Sequence, residues 1–95
     1  MNLISWLQNW YYQQCDGSWE HIEGIKIETL DNPGWLLDIS LIDTKYEDKE
    51  FNPIKDLRTD NDWIICKVED SVFKGRGGPF NLEEILKAFH NWVEE

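Results

Sequence analysis

The chain has 95 residues, the size of one domain, and this length can bury a core without disulfides or metals. Its net charge of −10 argues against nucleic acid or an anionic membrane as direct partners, because both are bound through clusters of Lys and Arg. The two Cys residues fit no metal or redox spacing, no stretch is apolar enough to span a membrane, and the first residues do not read as a signal peptide. A reduced, cytoplasmic protein is therefore expected.

The first element in the chain is an amphipathic helix predicted over residues 2–15. Trp6, Trp10 and most of the other apolar side chains fall on one half of its surface at 100° per residue. Asp16 and Gly17 are expected to end this helix, since Gly readily takes the left-handed conformation of a helix cap.

An antiparallel hairpin is predicted next, because apolar and polar residues alternate over residues 24–30 and again over residues 35–41. Residues 31–34 read Asp-Asn-Pro-Gly between the two runs, which is a strong turn signal. Residues 43–61 are charged and irregular, and they favour either a short edge strand or an ordered loop.

A further strand is predicted over residues 63–68, where nearly continuous apolar character favours a central position in the sheet. A short strand over residues 72–74 is expected to follow a tight turn. The Gly-rich residues 75–79 predict a flexible loop. They do not have the full pattern of a phosphate-binding loop.

The last element is a helix predicted over residues 82–93. Asn81 and Glu84 have the spacing of a capping box, and Phe80 and Ile85 have that of a hydrophobic staple. The expected fold is therefore α+β, an antiparallel β-meander of about four to five strands flanked by an N-terminal and a C-terminal helix in one domain.

Candidate catalytic and metal sites in this sequence are weak. Cys15 and His21 invite a nucleophile and base, but a Cys on the apolar side of a helix is more often a small buried hydrophobe. Cys15, His21, Cys66 and His90 lack the close spacing of a zinc site. We therefore predict no catalytic residue, no metal and no cofactor, and a small Cys- or metal-dependent enzyme remains an alternative.

Several aromatic residues lie beside carboxylates, a composition typical of protein interfaces. Trp19 follows the helix-ending turn and precedes Glu20, and Tyr12 projects from the polar side of the first helix. Core packing is the commoner role of a Trp. A second hypothesis is a module that binds a small ligand on exposed Trp35 and Trp63.

The chain resembles the immunity protein 53 family over almost its whole length. The residues that carry the resemblance include Trp10-Tyr11-Tyr12-Gln13-Gln14-Cys15-Asp16-Gly17, Trp19-Glu20-His21, Leu30-Asp31-Asn32-Pro33-Gly34-Trp35 and Asn81-Leu82-Glu83-Glu84-Ile85-Leu86. The resemblance implies an α+β protein of bacterial origin, encoded beside a polymorphic toxin. Such a protein binds its toxin in the cytoplasm and neutralises it, and these toxins are often nucleases.

The expected function is therefore inhibition of a cognate toxin domain by protein–protein contact, without enzymatic activity. The net charge of −10 suits a basic toxin. The family resemblance does not indicate which residues touch the toxin, so expected exposure and charge select the candidates. These candidates are Tyr12, Trp19, Glu20, Glu23, Asp31 and Asn32.

Overall fold

A computed structural model describes residues 2–95, which form three helices and one five-stranded sheet. The elements in chain order are α1 (Leu3–Gln14), α2 (Trp19–Ile22), β1 (Ile25–Leu30), β2 (Gly34–Ser40), β3 (Ile54–Thr59), β4 (Asp62–Glu69), β5 (Val72–Gly77) and α3 (Leu82–Glu94). The predicted α+β class, both terminal helices and the β1–β2 hairpin are confirmed. Within residues 2–95 no helix combines the length and the apolar character needed to cross a membrane.

The strands are all antiparallel and lie in the order β1-β2-β5-β4-β3, which departs from a simple meander. Residues 41–53 carry the chain from β2 to the far edge of the sheet, and β3, β4 and β5 then return toward β2 through tight turns. The region 43–61 therefore contains both of the structures that its sequence favours, a loop followed by an edge strand. β4 pairs with β3 on one side and β5 on the other, so its predicted position inside the sheet is confirmed, and β5 is the middle strand.

The prediction of a flexible loop at residues 75–79 is wrong over its first half, because β5 continues to Gly77. Gly75 and Gly77 lie on the sheet face that α3 covers. A Cβ atom at Gly75 would overlap the side chain of Ile85 in α3. These glycines therefore permit a close approach between helix and strand.

The core lies between the sheet and the two long helices, and aromatic rings fill much of it. Phe73 on β5 and Phe89 on α3 are both fully buried, with ring centroids 5.0 Å apart. Trp10 on α1 meets Phe89 edge-on at 5.1 Å. Edge-to-face pairs of this kind add to the free energy gained from burial. The apolar face predicted for α3 is thus confirmed. That of α1 is confirmed in part, because Trp10 is buried whereas Ile4 is 57% exposed.

The start of α3 is held differently from the predicted capping box and staple. The Asn81 side-chain amide donates to Asp62 Oδ1 and to Glu84 Oε1, each at 3.0 Å. These bonds tie the helix start to β4. The staple is wrong, because Phe80 is 88% exposed while Ile85 is fully buried.

The end of α1 also differs from the predicted cap. The helix stops at Gln14, and Cys15 takes an extended conformation. Gly17 has a positive φ of 90°, but it serves the turn that leads into α2. The short helix α2 itself was not predicted.

Candidate functional site

One end of the sheet brings together α2, the loop that follows β2 and the turn between β4 and β5. The Ser40 hydroxyl donates to Glu23 Oε1 at 2.7 Å, which ties β2 to the end of α2. The Leu41 N–H donates to the Ser71 carbonyl at 2.8 Å, which ties the loop to the turn. We call this end the acidic pole, after its carboxylates Asp16, Glu20, Glu23, Asp43, Glu47, Asp48 and Asp70.

The carboxylates of the acidic pole lack cationic partners. Within residues 2–95 none of them forms a salt bridge with Lys or Arg, and Glu20 has only the His21 ring at 3.9 Å. The same segments contain two Lys residues, Lys45 and Lys49. The Lys45 amino group lies over the Tyr46 ring at 5.6 Å, and the Lys49 amino group donates to the Trp92 carbonyl at 2.6 Å. The acidic pole therefore carries a net negative charge, and its carboxylates are not paired with Lys or Arg of residues 2–95.

The sheet face away from the helices carries more basic than acidic side chains, in contrast to the acidic pole. Strand register places five basic and three acidic side chains on this open face: Lys26, Lys55, Lys67, Lys74, Arg76, Glu28, Asp38 and Glu69. Several of them pair with one another, for example Arg76 with Asp38 at 2.8 Å and Lys74 with Glu69 at 3.0 Å. Sixteen of the 19 acidic residues therefore lie elsewhere on the molecule.

The turn between α1 and α2 is built by two carboxylates. Glu20 accepts the N–H groups of Asp16 and Gly17 at 2.9 Å, and Asp16 Oδ1 accepts those of Ser18 and Trp19 at 2.9 Å. Backbone N–H groups, its own first and then those of Asp16 and Gly17, hold the pKa of the Glu20 carboxyl below its ordinary value. The N–H groups of Trp19 and Ser18 lower the pKa of Asp16 in the same way. Both groups are therefore rigidly held anions at neutral pH.

Two apolar side chains project from the acidic pole. Tyr12, on the last turn of α1, is 78% exposed, and Ile22, at the end of α2, is 75% exposed. The Tyr11 and Trp19 rings, 5.9 Å apart, hold the two helices together. An exposed Tyr and an exposed aliphatic residue at an end of the molecule that is rich in carboxylates fit the apolar anchors and the polar rim of an interface. Sequence reasoning missed Ile22, whose only signal was an apolar residue just before a Glu-Gly break.

The prediction that Trp19 offers an exposed indole is wrong. Its side chain is 3% exposed and packs edge-on against Trp10, with ring centroids 6.2 Å apart. The single turn of α2 folds this ring inward, so Trp19 supports the surface from beneath.

The remaining candidates do not form one surface. Glu23 lies at the acidic pole, as Glu20 does, and is half-buried with its carboxylate bonded to Ser40. Asp31 and Asn32 are exposed in the turn between β1 and β2, at the opposite end of the sheet. The six residues of β1 separate the two groups by roughly 20 Å, at ~3.3 Å per residue.

A protein-family model described as immunity protein 53 matches residues 4–94. The chain belongs to the immunity protein 53 family. Comparisons with curated proteins and with solved structures give no significant match. The family match runs from α1 to α3, so it includes the acidic pole and the β1–β2 turn.

In this family member the two Trp residues considered as a ligand platform do not act together. Trp35 shares the helix-covered face with Ile64, and its indole N–H donates to the Pro79 carbonyl at 3.0 Å. Trp63 lies on the open face, where it lines a shallow hollow of about 350 Å³ beside Leu57. Because the rings lie on opposite faces of the sheet, they form no common platform.

The thiols of this immunity protein occupy different environments. Cys66 is fully buried on β4, and burial raises the pKa of its thiol to about 12. Cys15 is half-buried, and its Sγ donates to the Tyr11 carbonyl at 3.3 Å. Residues 2–95 contain no group of three or more His, Cys, Asp or Glu side chains arranged to hold a metal ion.

Proposed function

We propose that this immunity protein binds a cognate toxin with a basic surface in the cytoplasm and neutralises it without enzymatic turnover. The acidic pole is the proposed contact surface. The observation that carries the proposal is the combination, at one end of the molecule, of seven carboxylates without Lys or Arg partners and two exposed apolar side chains.

Charge and apolar contact have separate roles in this proposal. Uncompensated carboxylates attract a basic partner over a distance and raise the association rate, an effect that added salt weakens. Tyr12 and Ile22 supply the desolvated contacts that slow dissociation. Asp16 and Glu20 are already ordered by backbone hydrogen bonds, so little conformational entropy is lost when they meet a cation.

A nuclease is the class of toxin that this surface fits best. A nuclease binds the phosphate backbone through Lys and Arg, and a row of carboxylates can occupy the same groove. Under this mechanism the immunity protein and the nucleic acid compete for one site. The competition is testable by adding a non-cleavable oligonucleotide to the preformed complex.

The direct test measures binding of the toxin encoded beside the gene to purified variants. Tyr12→Ala removes the more exposed anchor, and a central interface Tyr contributes about 2 kcal/mol, so a rise in Kd of about 30-fold is expected. Asp48→Lys reverses one charge at the acidic pole and should mainly slow association. Asp60→Lys makes the same charge change in the β3–β4 turn, at the far end of the sheet, and is the matched control.

The results for these variants show which end of the molecule contacts the toxin. If Asp60→Lys and Asp31→Lys weaken binding while Tyr12→Ala and Asp48→Lys do not, the toxin contacts the β1–β2 turn end and the acidic pole is the wrong surface. If the purified proteins do not associate and co-expression does not relieve toxicity, the proposed function itself fails.

A further inference from the structure

The outer strand β1 has one unpaired edge. It pairs with β2 on one side only, and its register with β2 runs without interruption from Ile25 to Leu30. No Pro or bulge breaks it, and both are devices that block pairing at a sheet edge. Charged side chains can also block such pairing, and β1 carries one of each sign, Lys26 and Glu28. Ile27 faces the helix side of the sheet but is 45% exposed, since α3 packs on β2, β4 and β5.

The hydrogen-bond register identifies which backbone groups of β1 are free. The Ser40 N–H donates to the Gly24 carbonyl at 3.0 Å, so these two residues form a hydrogen-bonded pair of the β1–β2 ladder. Such pairs recur at every second residue in an antiparallel ladder. The backbone groups of residues 24, 26, 28 and 30 therefore face β2. Those of Ile25, Ile27 and Thr29 face outward.

We propose that two copies of this chain associate through their β1 edges to form one continuous ten-stranded antiparallel sheet. The two-fold axis passes through Ile27, which lies opposite Ile27 of the second copy. In this register the outward groups of Ile25, Ile27 and Thr29 meet their counterparts, and six backbone hydrogen bonds form. The exposed Ile27 side chains pack on each other at the axis.

Charge complementarity selects this register. Lys26 of each copy lies opposite Glu28 of the other, at non-hydrogen-bonded positions where cross-strand side chains come closest. Moving the axis to residue 26 would place the two Lys26 side chains together, and moving it to residue 28 would place the two Glu28 side chains together. Like charges directly opposite are destabilising. Only the axis at Ile27 makes both charged pairs attractive and buries the apolar side chain.

The other edge strand, β3, lacks these properties. Pro53 directly precedes it, and its pairing with β4 shifts between Leu57 and Thr59. Arg58 is drawn toward the helix side by Glu84 of α3 at 2.7 Å. An edge with an irregular register and a side chain committed to a helix is a poor template for an added strand.

Dimerisation through β1 would also extend the proposed toxin surface. This consequence rests on the proposed function, whereas the dimer itself does not. The two β1 strands run antiparallel, so Glu23 of one copy comes opposite Asp31 of the other. The two groups of candidate contacts, which are at opposite ends of one chain, would then adjoin across the interface. The approach of these two carboxylates costs some association energy, which a basic toxin would offset.

The test measures the mass of the purified full chain by light scattering and sedimentation over a range of about 10 µM to about 1 mM, because small interfaces are commonly weak. Wild type is expected to shift toward twice the monomer mass as concentration rises. Lys26→Glu and Glu28→Lys should each raise the dimer dissociation constant by about tenfold or more, since each places like charges opposite one another. An equimolar mixture of the two variants should recover dimers, because their strands are again complementary.

Three further measurements show whether dimerisation is specific to the β1 edge. Lys55→Glu makes the same charge change on the open face of β3 and should dimerise like wild type. Amide exchange of Ile25, Ile27 and Thr29 in wild type should slow as concentration rises. Circular dichroism should show that each variant is folded.

Three results would overturn the proposal. The first is a wild type that stays monomeric throughout the range. The second is a dimer that both charge variants leave intact, which would mean that another surface pairs. The third is a monomeric wild type whose toxin binding is weakened by both β1 variants, which would mean that the toxin supplies the added strand.

Discussion

Replacing Trp19 by Ala tests whether this buried ring stabilises the fold, in contrast to Tyr12, which is a proposed contact residue. The Trp19 ring is 3% exposed and lies against Trp10 and Tyr11, so its removal leaves a cavity between α1 and α2. Tyr12, a few residues earlier in the chain, is 78% exposed and touches no other aromatic ring within residues 2–95. The two aromatic residues should therefore respond in opposite ways to truncation.

The expected cost of Trp19→Ala is about 3–5 kcal/mol of unfolding free energy, the usual range for truncating a buried Trp. A domain of this length has a total of roughly 5–14 kcal/mol, so the variant lies near the limit of stability. In thermal unfolding followed by far-UV circular dichroism, the midpoint should fall by about 12 °C or more. Tyr12→Ala should change the unfolding free energy by no more than about 0.5 kcal/mol.

Trp19→Phe provides the matched control for the cavity. It keeps an aromatic ring in place and removes an indole N–H that meets no acceptor within residues 2–95. Most of the stability lost in Trp19→Ala should therefore be retained. The reasoning is refuted if Trp19→Ala unfolds within about 1 kcal/mol of wild type, because a filled core site cannot lose a Trp at so small a cost.

Two further predictions concern charge and thiol chemistry. Hydrogen bonds from Arg58 lower the pKa values of Asp62 and Glu84, so this stabilisation is present above their ordinary values of 3.8 and 4.5 and is lost as pH falls through the lowered ones. Arg58→Met should therefore reduce the loss of stability between about pH 6 and about pH 3, measured by urea unfolding. At about pH 8, Ellman's reagent should modify Cys15 in the folded protein and reach Cys66 only after unfolding, since the latter is buried with a pKa of about 12.

Much of the secondary structure was predictable because its signals are local. The apolar stripes of α1 and α3 repeat at helical spacing, and the runs on either side of Pro33-Gly34 alternate as strands do. A one-residue shift in either run would expose its apolar side chains, so the hairpin register also follows from the sequence. The family could be recognised from the sequence for a similar reason, because its motifs are contiguous runs.

Strand order and the length of β5 required the tertiary structure. Nothing near Gly75 and Gly77 distinguishes a flexible loop from a strand that a helix covers closely, and the deciding contact is with Ile85. The insertion of β5 between β2 and β4 likewise depends on where the connection 41–53 carries the chain.

The sequence by itself determined the amphipathic elements, the α+β class and the acidic charge, because each depends on neighbouring residues or on composition alone. Only the tertiary structure decided which of those residues share a surface. It turned Trp19 inward through the single turn of α2, and it assembled the acidic pole from segments as distant in the chain as Asp16 and Asp70. The physical reason is that packing and antiparallel pairing join segments with no local signal of their association, so exposure and charge clustering emerge only when the chain is folded.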